Sequence, residues 1–236
     1  MTPPTSRVRW SQGRRIQSTR HPPVDLFEDL LDPEDWEAAI RLESLTNPRI
    51  NESVGRLDLV PVARRVAGAG ASLVMAPFTH VSTDHPGRFH DGNFGALYIA
   101  QTFNTALAET AFHYGRFFAA TGQAPGWFSQ YRELACRVDH SFHDLRGTPD
   151  FSACLAPDDW SASQALAREL RDRDSSGIVY PSVRDPDGQC LAAFWPDVVP
   201  VPVPARRLSY HFDGAGIDVV RDDSDRQIIR LKHRPS

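Results

Sequence analysis

Apolar positions along the chain change their spacing from segment to segment, and the spacing predicts the elements. In FNTALAETAFHYGRFF, Phe103, Leu107, Ala111, Tyr114 and Phe118 recur every three or four residues. That period predicts an amphipathic helix capped by Thr102 or Asn104 and ended at Gly122, with Pro125 beyond. Glu109 falls beside the apolar stripe of that helix, near the edge of the core. A second helical pattern runs through Trp36, Ala39, Ile40 and Leu42 after Asp32 and Pro33, and stops at Asn47, Pro48 and Arg49. SASQALARELRDRD, opening at Ser161, predicts a third helix. Short apolar or β-branched runs bounded by turn residues predict strands: ASLVMAPFTHV (71–81), GALYIA (95–100), ELACRVD (133–139), GIVYPSV (177–183), CLAAFW (190–195), RRLSYHF (206–212) and GIDVVRD (216–222).

Strands after residue 130 follow one another through short links, which predicts an α+β fold on antiparallel-rich sheets and argues against a doubly wound parallel sheet. Residues 1–23 are rich in Pro, Arg, Ser and Thr without a period and read as a mobile arm. The expected organisation is therefore an N-terminal arm and helical extension over 1–55 and one main domain over 56–236.

Composition narrows the function. The chain has 236 residues and is 41% apolar, enough for a sizeable core. A net charge of −4, from 26 basic and 30 acidic residues, argues against nucleic acid as the main substrate, although the first twenty residues are locally basic. Cys136, Cys154 and Cys190 are far apart and form no CxxC, so neither a disulfide framework nor a zinc ribbon is indicated, and a reducing cytoplasm is expected. The N-terminus has no apolar run after its basic residues and the longest apolar stretch is too short to cross a bilayer, so neither export nor membrane insertion is expected.

Several candidate sites are weaker than they look. GAGASL (68–73) lacks the third glycine of a dinucleotide fingerprint and precedes a strand instead of following one, so it reads as a turn. His80, His85 and His90 are spaced by five around Pro86 and Gly87, which suits no single helix or strand face, and no metal is expected. His80 ends a predicted strand beside the turn carrying Arg88, where its ring could donate to a ribose hydroxyl or simply to a backbone carbonyl. Neither GxSxG nor HExxH is present. Glu109 and His113, one turn apart, could be no more than a surface pair, and Ser182 in YPSVR reads alone as a turn serine beside Arg184.

Arg88, Tyr98 and Glu109 together suggest a different pocket. Cleaving a positively charged leaving group from a ribose passes through an oxocarbenium-like state, which a carboxylate near the anomeric carbon stabilises. An arginine can hold a pyrophosphate, and a tyrosine face can stack on nicotinamide. Such a site needs no metal and no Rossmann glycines.

Residues 60 to 200 carry a resemblance that joins these pieces. PVARRVAGAGASLVMAPFTHVSTDHPGRFHDGNFGALYIAQTFNTALAETAFHYGRF, followed by SSGIVYPSVRDPDGQCLAAFWP, resembles the RES family, the toxins of Xre–RES type II toxin–antitoxin systems. The family is named for an arginine, a glutamate and a serine, matched here by Arg88 in GRF, Glu109 in TALAE and Ser182 in GIVYPS, with Tyr98 in ALYIA. The resemblance implies a fold similar to the diphtheria-toxin-like ADP-ribosyltransferases, with NAD as substrate. It implies cleavage of the nicotinamide–ribose bond, with ADP-ribose passed to a protein such as phosphoribosyl pyrophosphate synthetase, or to water or phosphate. A non-catalytic nucleotide-binding partner of a repressor is the rival from another class. By this resemblance Arg88 holds the pyrophosphate, Tyr98 the nicotinamide or its ribose, Glu109 the cation-like transition state, and Ser182 serves as a hydrogen-bonder and not as a nucleophile. His80, Arg64 or Arg65 would fill the first-strand NAD-binding position. The expected partner is an Xre-type helix-turn-helix antitoxin, and the extra N-terminal residues weigh toward a protein acceptor.

Overall fold

The computed structural model describes residues 1–20, 23–28 and 31–231, so parts of the expected arm, helical extension and C-terminus lie outside the described residues. The first twenty residues are not an arm. Thr5–Ser18 form β1, which lies antiparallel to the 19-residue β3 (Gly126–Asp144) from Thr5 opposite His143 to Ser18 opposite Tyr131. Val8, Trp10 and Ile16 are buried by it. A register shift between Trp10 and Gly13 inserts an extra residue into β1, and that bulge hides the alternation of the strand from a reading of its sequence.

Three short helices follow: α1 (Asp25–Glu28), α2 (Trp36–Glu43) and α3 (Ile50–Val54). Phe27 and Trp36, both fully buried with ring centroids 5.1 Å apart, join them to the same apolar cluster as the sheet. The run expected as a buried strand at 71–81 is instead α4 (Ser72–Thr79). Ala71, Val74, Met75 and Phe78 are buried at helical spacing, and the Glu28 carboxylate accepts from the backbone N–H groups of Gly70 and Ser72 at its start. An unbroken apolar run suits a buried helix and a buried strand equally, and here a carboxylate from a neighbouring element fixes the choice.

β2 (Leu97–Ala100) leads into α5 (Phe103–Ala120), which Thr102 caps through Oγ1 at 3.1 Å from the Thr105 N–H. After β3 come α6 (Ser161–Asp172), β4 (Gly177–Pro181), β5 (Gln189–Ala193), β6 (Val203–Phe212), β7 (Ile217–Asp222) and the unexpected short β8 (Ile228–Arg230). The architecture is mixed α and β. Two separate sheets were expected; the strands instead form one hydrogen-bonded sheet in the order β1-β2-β5-β4-β3-β6-β7-β8, with β1 also paired to β3. All pairings are antiparallel except β3 with β4. The sheet returns on itself because β1 pairs with both β2 and β3, and β3 is long enough to pair also with β6 along Gly126–Ala135 and with β4 at His143 and Asp144. Between these contacts the β1–β3 ribbon faces the β2–β5–β4 strands, and a Cβ on Gly13 of β1 would meet Ile99 of β2 at 2.7 Å.

Removing residues 1–18 is expected to abolish cooperative thermal unfolding, because it uncovers one edge of β3 and the apolar residues beneath it. Deleting a mobile arm would leave the melting curve unchanged, and differential scanning calorimetry of the truncated and full chains separates the two.

Candidate functional site

One cleft of about 280 Å³ opens where β1, β2 and α5 meet. Arg14, Arg15 and Ile16 of β1 form one wall and Tyr98, Ile99 and Ala100 of β2 form the back. Ala106, Glu109, Thr110, His113 and Tyr114 reach it from one face of α5, the positions that three- and four-residue spacing brings into line. The Pro86–Arg88 turn, Trp160, Tyr180 and Cys190 complete it. Arg88, Tyr98 and Glu109 therefore converge, as their types suggested.

Each is held by a different element. The Tyr98 hydroxyl accepts the Phe89 N–H at 2.8 Å, which ties the loop carrying Arg88 to β2. Burial pushes the Tyr98 phenol well above its usual range, against the smaller opposing effect of that hydrogen bond, so it stays neutral at pH 7. Gly87 has no room for a side chain: a Cβ would lie 2.5 Å from His90 Nε2 and 2.8 Å from the Tyr98 hydroxyl. Gln164 of α6 donates to the Gly87 carbonyl at 3.0 Å and anchors the turn from the other side. Arg88 Nη1 donates to the carbonyls of Cys154 at 3.1 Å and Ala156 at 2.7 Å.

Ser182 stands behind Glu109. Its hydroxyl accepts the backbone N–H groups of Arg184 at 3.2 Å and Asp185 at 3.0 Å, so its one proton goes to Glu109 Oε1 at 2.6 Å. Asp185 is itself pinned to α5 by the Thr105 hydroxyl at 2.8 Å. The other carboxylate oxygen, Oε2, lies 3.7 Å from His113 Nε2. Burial and the Glu109 charge push the Cys190 thiol well above its usual range, which leaves it protonated beside the carboxylate.

The field in the cleft is mostly positive. Glu109 is the one carboxylate among the described lining residues. Arg14 is matched by the fully buried Glu133 at 2.9 Å. Arg15 and Arg88 have no carboxylate within ion-pair reach among the described residues; Arg15 donates to the Tyr98 carbonyl at 3.1 Å. An incompletely neutralised pair of guanidiniums around a single carboxylate suits a ligand with an anionic body and a reacting centre that becomes cationic.

His80 is not in this cleft. Because 72–79 is helical, the ring sits at the C-terminal end of α4, with Nδ1 3.1 Å from Thr79 Oγ1 and Nε2 3.0 Å from the Ser53 carbonyl. Arg64 is engaged with Asp174 and Asp197, and Arg65 with Glu37, and neither is among the residues that line the cleft. The first strand supplies Arg14 and Arg15, residues that the arm reading passed over. The alternation Arg7-Val8-Arg9-Trp10 was the available signal. His113, dismissed as a surface partner of Glu109, and Trp160, Tyr180 and Cys190 were also missed, since only the fold brings them to the cleft. His85 and His90 lie apart from His80, the His90 ring 5.8 Å from that of Tyr98 and the exposed His85 ring 6.2 Å from that of Phe117, and no group of three metal-ligating side chains occurs among the described residues. No described helix is long and apolar enough to cross a membrane.

Residues 62–213 match the profile of the RES domain. An uncharacterized protein of Sinorhizobium fredii, y4oC, is 28% identical over 219 residues, 91% of this chain and 89% of that protein. A chain in the crystal structure of the M. tuberculosis MbcT-MbcA toxin-antitoxin complex has 16% identity and a TM-score of 0.42, covering 89% of this chain and 88% of its own.

Tyr98→Phe removes the acceptor of the Phe89 N–H without changing the ring. It is expected to cost about 1–3 kcal/mol of stability in denaturant titration, the penalty of a buried donor left unpaired.

Proposed function

Because the chain belongs to the RES domain family, we propose that it is a toxin that binds NAD and breaks its nicotinamide–ribose bond. The observation that carries this reading is the convergence of Arg88, Tyr98 and Glu109 on one cleft that has no second carboxylate among its described lining residues. Arg88 and Arg15 offer guanidiniums to the pyrophosphate. The Tyr98 hydroxyl accepts the Phe89 N–H, which fixes the ring as a face for nicotinamide or the adjoining ribose. As the C1′–N bond breaks, its electron pair leaves with nicotinamide and positive charge develops across C1′ and the ring oxygen of the ribose. Glu109 faces that charge with its orientation already fixed by Ser182, so little reorganisation is needed in the transition state. Ser182 acts through Glu109 and is not a nucleophile.

ADP-ribose then passes to an acceptor, read here as a protein, with phosphoribosyl pyrophosphate synthetase the candidate that the family resemblance supplies. One observation favours the second reading, water or phosphate as acceptor: of the N-terminal residues that weighed toward a protein surface, 5–18 are spent on β1 and on the cleft wall. The same resemblance supplies the partner, an Xre-type helix-turn-helix antitoxin that blocks the cleft.

Purified protein incubated with NAD, with and without lysate, separates the readings when every ADP-ribose product is weighed by mass spectrometry. A modified polypeptide that appears only with lysate identifies transfer. Rapid loss of NAD without lysate identifies hydrolysis or, when phosphate is required, phosphorolysis. NAD left intact in both arms overturns the proposal. Glu109→Gln is expected to reduce nicotinamide release by about 10²–10³-fold, the usual loss when a preorganised charge-stabilising group is removed, with an unchanged melting temperature.

A further inference from the structure

We propose that His113 accepts the proton of the nucleophile that attacks the ribose, holding that nucleophile jointly with Glu109. The inference rests on the reading of the cleft as an NAD-cleaving site and names the group that completes the reaction there.

An O–H acceptor that adds to C1′ must lose a proton. Glu109 Oε1 is occupied by the Ser182 hydroxyl, and Oε2 faces His113 Nε2 across 3.7 Å. That gap is too long for a direct hydrogen bond. It is also short enough for a single oxygen to lie about 2.8 Å from both atoms, as a water that donates one proton to each would. The two side chains are one helical turn apart on α5, so the helix itself sets the spacing of this fork. Half of the His113 side chain remains exposed, which gives the proton a way out to solvent.

The other proton-binding groups of the cleft are already committed. Burial holds Tyr98, Tyr114, Tyr180 and Cys190 protonated at neutral pH. Glu109 faces the cationic centre. His113 is kept neutral by its surroundings: the partial enclosure of its ring beside Trp160 and Phe112 comes first, then the guanidiniums of Arg184 from the β4–β5 turn, Arg88 from the loop before β2, and Arg116 from its own helix. Together they push it down to about 4, with Glu109 and Asp158, the latter ion-paired to Arg116 and Arg184, as the nearby acids. A bound pyrophosphate would offset those guanidiniums, so the imidazole is least opposed to taking a proton when the substrate is in place.

The step balances. The C1′–N bond gives its electron pair to nicotinamide, an oxygen lone pair of the acceptor forms the C1′–O bond, and the acceptor's proton moves to His113 Nε2. The imidazolium then releases it to water and returns to the neutral form.

The test uses the purified full-length chain and follows nicotinamide release. His113→Ala keeps the helix and is expected to lower kcat by about 10²-fold while KM stays within a few-fold, and added imidazole is expected to restore turnover. His113→Gln, which can hydrogen-bond but not take a proton, is expected to show the same deficit. In the wild type, ADP-ribose is expected to raise the NMR titration midpoint of the His113 ring by about one pH unit or more. Either variant turning over NAD at the wild-type rate, no recovery with imidazole, or an unmoved midpoint overturns the inference alone. Wild-type protein that leaves NAD intact overturns the NAD reading and this inference with it.

Discussion

A single hydroxyl group organises the centre of this protein. With both acceptor positions of Ser182 filled by backbone N–H groups of its own turn, the remaining proton has one direction to point, and Glu109 lies in it. A carboxylate that is largely enclosed beside arginines needs a fixed partner to hold its direction. Held by Ser182, it keeps one oxygen facing the cleft, and the turn that carries Ser182 is itself locked to the first turn of α5 through Asp185 and Thr105. The helix bearing Glu109 and the loop bearing Ser182 are thus braced against each other at two points about one helical turn apart.

Around this carboxylate the cleft is built to accept negative charge. Burying arginines without nearby acids is costly, and the pressure shows in Arg15, whose guanidinium is pulled below its ordinary range by burial. The fold tolerates this because the Tyr98 carbonyl accepts from Arg15 and the carbonyls of Cys154 and Ala156 accept from Arg88. Those neutral acceptors satisfy hydrogen bonds without cancelling charge. The arrangement leaves a positive field for an anionic ligand while giving the guanidiniums fixed positions.

The β1–β3 ribbon is what allows one chain to assemble the cleft from such distant segments. Because β1 crosses the core and pairs along most of β3, it brings Arg14 and Arg15 under residues some eighty to a hundred positions later in sequence, and the buried Glu133 on β3 matches Arg14 from the partner strand. The N-terminal residues are consequently a structural part of the site, and an argument that treats them as an added docking surface loses its basis.

The sequence by itself determined the elements with a clear period and picked out three residues that the fold brings to one cleft. The amphipathic spacing of α5, a cap at Thr102 or Asn104, the later strands and the trio of Arg88, Tyr98 and Glu109 were legible, because each depends on local spacing or on side-chain type. Tertiary structure decided the rest. A bulge masked β1, a carboxylate from another element turned 72–79 into a helix, and that helix carried His80 away from the cleft while the fold brought His113 into it. These outcomes depend on contacts between residues far apart in the chain, and no local pattern encodes which distant group will satisfy a backbone N–H or which charge will face a ring.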